Sequence, residues 1–203
     1  MNVSLKNISK RYLYEWIIKD FSHDFASNSI TGINGINGSG KSTLIKMISG
    51  FLSVSEGAIE YQFDKQKIER SDVFQYVSIA APYTDIIQEY DVFEMFAFHK
   101  KMKRLRSDYT LNDFLDLVNL TKTKGKAIKF YSSGMKQRLQ LALAVLSDTS
   151  LLLLDEPTSY LDMQNKRWFY TLLKQNLKGR TTIIASNDAE DFQFCKEVID
   201  LQA

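Results

Sequence analysis

Residues 35–42 read Gly-Ile-Asn-Gly-Ser-Gly-Lys-Ser and fit the pattern G-x-x-x-x-G-K-S/T. Each residue type in that pattern answers a need of phosphate chemistry. Glycines permit tight turns and let backbone N–H groups come close to phosphate oxygens. A helix starting at Lys41 would aim its positive end at the same oxygens. The Lys41 ammonium can reach the β- and γ-phosphates of a nucleotide, and the Ser42 hydroxyl can ligate Mg²⁺. The candidate phosphate-contacting set is therefore Asn37, Gly38, Ser39, Gly40, Lys41, Ser42 and Thr43.

A second chemical feature lies far downstream. Four leucines, 151–154, run into Asp155 and Glu156. A buried strand delivers its C-terminal end to the crevice where α/β sheets bind ligands. Asp155 there can hold a Mg²⁺ shell, and Glu156 can polarise a water for attack on a γ-phosphate. A strand end with two solvated acids is the plain alternative, and the phosphate loop weighs against it.

Between these features, residues 131–138 read Tyr-Ser-Ser-Gly-Met-Lys-Gln-Arg. Ser132 can cap a helix whose positive N-terminus carries the amides of Ser133 and Gly134. This stretch resembles the signature motif of the ABC ATPases, the ATP-binding subunits of ABC transporters, whose usual form is L-S-G-G-Q. The resemblance implies ATP and Mg²⁺ as ligands. It also implies a second ABC ATPase subunit packed head-to-tail, as a homodimer, with Ser132, Ser133 and Gly134 binding the γ-phosphate held by that subunit. Other positions match the family along most of the chain. Tyr12 resembles the aromatic that stacks on adenine, with Tyr14 and Trp16 as competitors and an ordinary surface or core aromatic as the alternative. Residues 159–162, Ser-Tyr-Leu-Asp, resemble the loop that crosses the dimer interface, although Asp162 can equally cap the next helix.

The chain departs from the family pattern at three places. The signature has Tyr131, Ser133 and Met135 where leucine, glycine and glutamine are usual. The switch histidine is replaced by Asn187, which can donate a neutral hydrogen bond to a γ-phosphate but carries no charge; a helix cap is its plain alternative. Ala80-Ala81-Pro82 stands where a metal-contacting glutamine is usual, and the nearest glutamine, Gln88, comes later. Catalysis is thus expected from Glu156, Lys41 and Asn187, at a slow rate, because phosphoryl transfer rests on positioning and charge that are here reduced.

These residues need a scaffold. Strand-like runs at 3–8, 29–33, 58–63, 76–80, 151–155, 181–186 and 198–201 alternate with helical spacing at 41–49, 133–147 and 162–177. That order predicts an α/β fold: a P-loop NTPase core with a mainly parallel sheet and N-terminal antiparallel strands. Residues 85–124 change character and predict two or three amphipathic helices. The expected organisation is one ABC ATPase domain over 1–203, with its nucleotide-binding core in 1–84 and 125–203 and an inserted helical subdomain in 85–124.

Composition is that of an ordinary globular protein, with 203 residues, 44% hydrophobic and 25% charged. The net charge of +2 gives no reason to expect a nucleic-acid partner. Residues 99–106 concentrate positive charge at a helix end, where a solvated face is the plain reading and contact with acidic headgroups or an acidic permease loop the alternative; no stacking aromatics are interleaved to suggest nucleic acid. The single cysteine, Cys195, allows no internal disulfide and fits a cytoplasmic setting. No apolar run approaches the roughly 20 residues of a membrane helix. A role at a membrane therefore requires a separate transmembrane permease, which would hold this chain at the inner face of the cell membrane. The competing expectations are a degenerate regulatory subunit and a soluble ABC ATPase outside transport.

Overall fold

The burial of alternate residues that begins the chain breaks after Leu5, and the break has a local cause. Strand β1 (Asn2–Tyr12) buries Val3 and Leu5 in turn, then at Asn7 the backbone takes a positive φ of 48°. The pairing slips there against both neighbours, β2 (Glu15–Phe25) and β4 (Glu56–Phe63). Ile8 consequently turns inward instead of outward, and Ser9 is buried beside it. Such a bulge moves the following side chains to the other face. Gly57 in β4 makes room for it: a Cβ there would lie 2.3 Å from Asn7 O, and its φ is 78°.

The computed structural model describes residues 1–123 and 125–201, which divide into two units. The first holds Met1–Ala81, Thr149–Glu156 and the described residues from Leu177 onward. An antiparallel sheet in it has the order β2-β1-β4-β5, with β5 at Gln66–Ile68. A parallel sheet is built from β3 (Ile30–Asn34), β6 (Val77–Ala80), β7 (Leu151–Asp155), β8 (Thr181–Ser186) and β9 (Glu197–Asp200). Its order is β6-β7-β8-β3-β9. Every residue of β7 and β8 is buried, as expected for strands covered on both faces. Helix α1 (Lys41–Ile48) leaves β3 through the glycine-rich loop and buries Leu44, Ile45, Met47 and Ile48. Tyr61 of β4 directs its hydroxyl to the carbonyls of Met47 and Ile48, at 3.2 and 3.0 Å, and so ties the antiparallel sheet to the end of α1. A single turn, α2 (Val73–Tyr76), leads into β6.

The second unit comprises the described residues of Pro82–Asp148 and Pro157–Asn176. It holds α3 (Val92–Met102), α4 (Leu111–Leu117), α5 (Ser133–Leu146) and α6 (Met163–Asn176). Asp91 and Thr110 close capping boxes with Glu94 and Asp113, which fixes where α3 and α4 begin. Phe96 of α3 stacks on Phe114 of α4 with centroids 4.5 Å apart. The expected α/β class, with parallel and antiparallel sheets, is what the chain forms. β2 and β5 are additions to the sequence reading, and β1 extends well beyond residues 3–8. Among the described residues, no helix is long and apolar enough to cross a membrane.

Candidate active site

The strand order puts the chemistry of the first unit at one sheet end. β3 runs into the phosphate loop, and β8 lies between β3 and β7. Asp155, the last residue of β7, pairs with Ala185, and Ser186, the last of β8, pairs with Asn34. The loop, the acidic pair and the end of β8 are therefore adjacent because the strands are.

Gly40 has a φ of 95° and precedes α1 with no side-chain cap. A Cβ at Gly40 would meet Ile17 and Ile18 side chains at 3.1 Å, so a side chain there is strained by the left-handed backbone and tightly crowded. The first N–H groups of α1 are thus left for an anion, as helix starts of this kind allow. Lys41 is 5% exposed. Its Nζ donates to Gly35 O at 2.6 Å and Ile36 O at 3.2 Å, and lies 3.2 Å from Glu156 Oε1. The ammonium thereby bridges the loop and the acidic strand end.

Asp155 is fully buried. Glu156 follows it with a positive φ of 47°, unusual for a residue with a Cβ. Its N–H donates to Ala185 O at 2.8 Å. The turn swings the Glu156 side chain to Lys41 and to Ser186, whose Oγ is 3.4 Å from Oε2. Ser186 Oγ also donates to the buried Asp191 carboxylate at 2.6 Å and accepts from Asp188 N–H at 3.0 Å.

Asn187 does not cap the following turn. That role falls to Asp188, whose carboxylate accepts from Glu190 N–H. Asn187 instead donates from Nδ2 to Asn37 Oδ1 at 3.1 Å, which links the residue after β8 to the phosphate loop.

A cavity of about 330 Å³ opens over this arrangement. Tyr12, Ile17, Asn37, Gly38, Gly40, Lys41, Ser42, Thr43 and Glu156 line it. Tyr12 belongs to the lining and its competitors Tyr14 and Trp16 do not. Lys10 sits 5.3 Å from the Tyr12 ring centroid, and Arg11 covers Trp16 at 5.1 Å. Ser39 stands apart from the rest of the loop: it is buried, and its Oγ has no hydrogen-bond partner among the described residues.

The signature-like residues belong to the second unit. Ser132 caps α5, accepting from Met135 N–H at 3.3 Å. Ser132 and Ser133 are exposed, and Gly134 is half-buried. Tyr131 is buried and donates to Thr123 Oγ1 at 2.8 Å, which accounts for an aromatic where leucine is usual. Asp162 caps α6 through Asn165 N–H at 2.8 Å. Gln88 is exposed and belongs to this unit, whereas Ala81 is packed in the first.

Sequence reasoning passed over Ile17, Ser186 and Asp191. The available signal was positional for Ser186, which closes a buried strand one residue before Asn187. Nothing in residue type marked Ile17 or Asp191.

Comparison with known proteins agrees with this arrangement. The family described as ABC transporter matches residues 18–159. The uncharacterized ABC transporter ATP-binding protein YybJ of Bacillus subtilis is 30% identical over 191 residues, covering 93% of this chain and 87% of that protein. ABC transporter A family member 8 of Dictyostelium discoideum is 31% identical over 181 residues, and the chain spans 87% of itself but only 21% of that longer protein. Among solved structures, the dimeric post-hydrolysis state of the ATP-binding cassette MJ0796 bound to ADP and Pi superposes with a TM-score of 0.83 at 21% identity. That match covers 98% of this chain and 94% of the other and speaks to the fold. With the phosphate loop, the acidic strand end and the family match in agreement, the chain belongs to the ABC transporter family and is one of its ATP-binding, ATP-hydrolysing proteins.

Proposed function

We propose that this chain is the ATPase subunit of a transporter whose membrane-crossing part is a separate permease, and that it works as a head-to-tail pair with a second ABC ATPase subunit, here a copy of itself. The observation that carries the reading is the 3.2 Å contact of Lys41 Nζ with Glu156 Oε1. It joins the group that would hold the γ-phosphate to the group that would activate water. In this reading the whole chain acts as one ATPase domain, with 1–84 and 125–203 as core and 85–124 as a helical insert.

Each residue then has a part. The amides of Asn37 to Thr43 and the Lys41 ammonium hold the phosphates, and Tyr12 stacks on the base. Glu156 orients and polarises the attacking water. Asn187 contributes a neutral donor near the γ-phosphate. Ser132, Ser133 and Gly134 serve the nucleotide of the partner copy, so that ATP closes the pair and hydrolysis releases it. The Ser42 hydroxyl and the buried Asp155 carboxylate are hard oxygen donors and fit Mg²⁺, which they would hold. Bound there, the ion would supply charge neutralisation between phosphate oxygens. A neutral Asn187 and an Ala81 in place of a longer polar side chain support slow turnover. Such a chain sits in the cytoplasm, peripheral at the inner membrane face, and has no use for nucleic acid.

Steady-state ATPase assays on the wild type and Glu156→Gln test the catalytic half of the proposal, and equal rates would replace it with a regulatory, binding-only subunit. Purification from membranes tests the other half. A multi-span protein is the expected companion, and recovery with ribosomes or DNA instead would refute transport.

A further inference from the structure

Ser186 is the last residue of β8 and is fully exposed to neither solvent nor cavity: its relative exposure is 0%. A hydroxyl has one hydrogen to give and two lone pairs to offer. Here the hydrogen is shared between two carboxylates, chiefly with Asp191 Oδ2 at 2.6 Å and more weakly with Glu156 Oε2 at 3.4 Å. One lone pair takes Asp188 N–H at 3.0 Å. Asp191 and Asp188 belong to the segment after β8, where Asp191 N–H donates back to Asp188 O at 3.1 Å and the Asp188 carboxylate caps the turn. Asp191 is itself buried, at 2% exposure. The Ser186 rotamer is thus fixed from two sides by groups that cannot easily move.

That fixed oxygen lies 3.4 Å from Glu156 Oε2, while Oε1 faces Lys41. Glu156 needs such a boundary. Its backbone sits in a sparsely populated conformation, so the direction of its side chain is set by neighbours rather than by the preferred geometry of its own chain. Ala185 O holds its N–H, Lys41 holds one carboxylate oxygen, and the other accepts the longer, shared hydrogen bond from the Ser186 hydroxyl.

We infer that Ser186, locked by Asp191 and the Asp188 amide, is a positioning residue that holds the Glu156 carboxylate in its water-activating orientation. The inference rests on the proposed role of Glu156. It differs from the plain alternative, in which Ser186 and Asp191 only satisfy each other's buried polar groups at the end of a strand. Misplacement of a reacting group by a fraction of an ångström lowers the chemical step and leaves ground-state binding nearly intact.

The test compares Ser186→Ala, Ser186→Cys and Ser186→Thr with the wild type in steady-state ATPase assays, alone and on a Glu156→Gln background, with thermal melts alongside. Cysteine is somewhat larger and hydrogen-bonds only weakly, and so stands in if alanine fails to fold; threonine keeps the hydroxyl and suits a strand. Ser186→Ala and Ser186→Cys are expected to lower kcat about tenfold with KM for ATP changed by less than about twofold, and Ser186→Thr to recover most of the loss. On the Glu156→Gln background Ser186→Ala should cost nothing more. An unchanged kcat in folded Ser186→Ala or Ser186→Cys, or an equal further loss on the Glu156→Gln background, overturns the positioning role while leaving Glu156 in place. A Glu156→Gln protein as fast as the wild type overturns the role of Glu156 and this inference together.

Discussion

Asn187 gives its side-chain amide to Asn37 Oδ1 across 3.1 Å, so the residue just after β8 is bonded to the phosphate loop. One neutral hydrogen bond of this kind contributes about 0.5–1.5 kcal/mol. Asn187→Ala is accordingly expected to reduce kcat about three- to tenfold, since 1.4 kcal/mol is roughly a factor of ten in rate. Asn187→His introduces a donor that can carry charge and should raise kcat above the wild type. Both are read in a steady-state phosphate-release assay.

Tyr12 and Tyr14 differ in what they face. Tyr12 lines the cavity at 45% exposure, and Tyr14 is outside it at 95%. Base–aromatic stacking contributes roughly 1–3 kcal/mol. Tyr12→Ala should weaken ATP binding at least about fivefold in a fluorescent-nucleotide titration, a change of roughly 1 kcal/mol. Tyr14→Ala should leave it unaltered.

His99 supplies a pH dependence of stability. Ser147 Oγ donates to Leu143 O at 2.7 Å, so His99 Nε2, 2.9 Å from that oxygen, is the donor in their hydrogen bond. Burial, helped by the charge of Lys103, lowers the His99 pKa to about 4. The folded protein therefore binds this proton less readily than the unfolded chain, whose histidine titrates near 6.5. The stability tied to neutral His99 is complete above that value and is lost as pH falls toward 4. Between pH 7.5 and 5 the loss comes to about 2 kcal/mol. Urea melts at the two pH values check this, and His99→Gln should flatten the difference.

Gly57 faces the β1 bulge with its φ of 78°, and an added Cβ would strike Asn7 O and Lys6 O at 2.3 and 2.4 Å. Those are backbone atoms and cannot swing aside. Gly57→Ala is expected to cost more than about 1 kcal/mol. A lowered denaturant midpoint with an unchanged m-value would bear this out.

Legibility in the sequence followed how local each feature is. The phosphate loop, the leucine run of β7 and the Ser132 cap of α5 are each specified by a few neighbouring residues, and the chain forms them where the sequence places them. β2 is an edge strand with most of its residues exposed or half-buried, and Asp20 breaks it with a φ of 48°. Its alternation is blurred, so no strand pattern stands out there. The turn after β8 is capped by Asp188 and not by Asn187, for which a cap is the alternative in the sequence; Asn and Asp are both good caps, and residue type alone does not show which of two neighbours takes the role. The bond between Ser186 and Asp191 depends on how the chain turns between them, and no residue pattern announces that.

The positive φ of Glu156 bears on how this chain can be engineered. Left-handed backbone is comfortable for Gly and Asn and costs a longer residue of order 1 kcal/mol. With Glu156 in its proposed role, a selection that rewards heat resistance alone is expected to drift toward Gly or Asn at position 156 and to enrich proteins that still hold nucleotide but no longer turn it over. Libraries built on this scaffold therefore need turnover as a co-selected trait, and the sturdiest variants they yield are the first to check for silence.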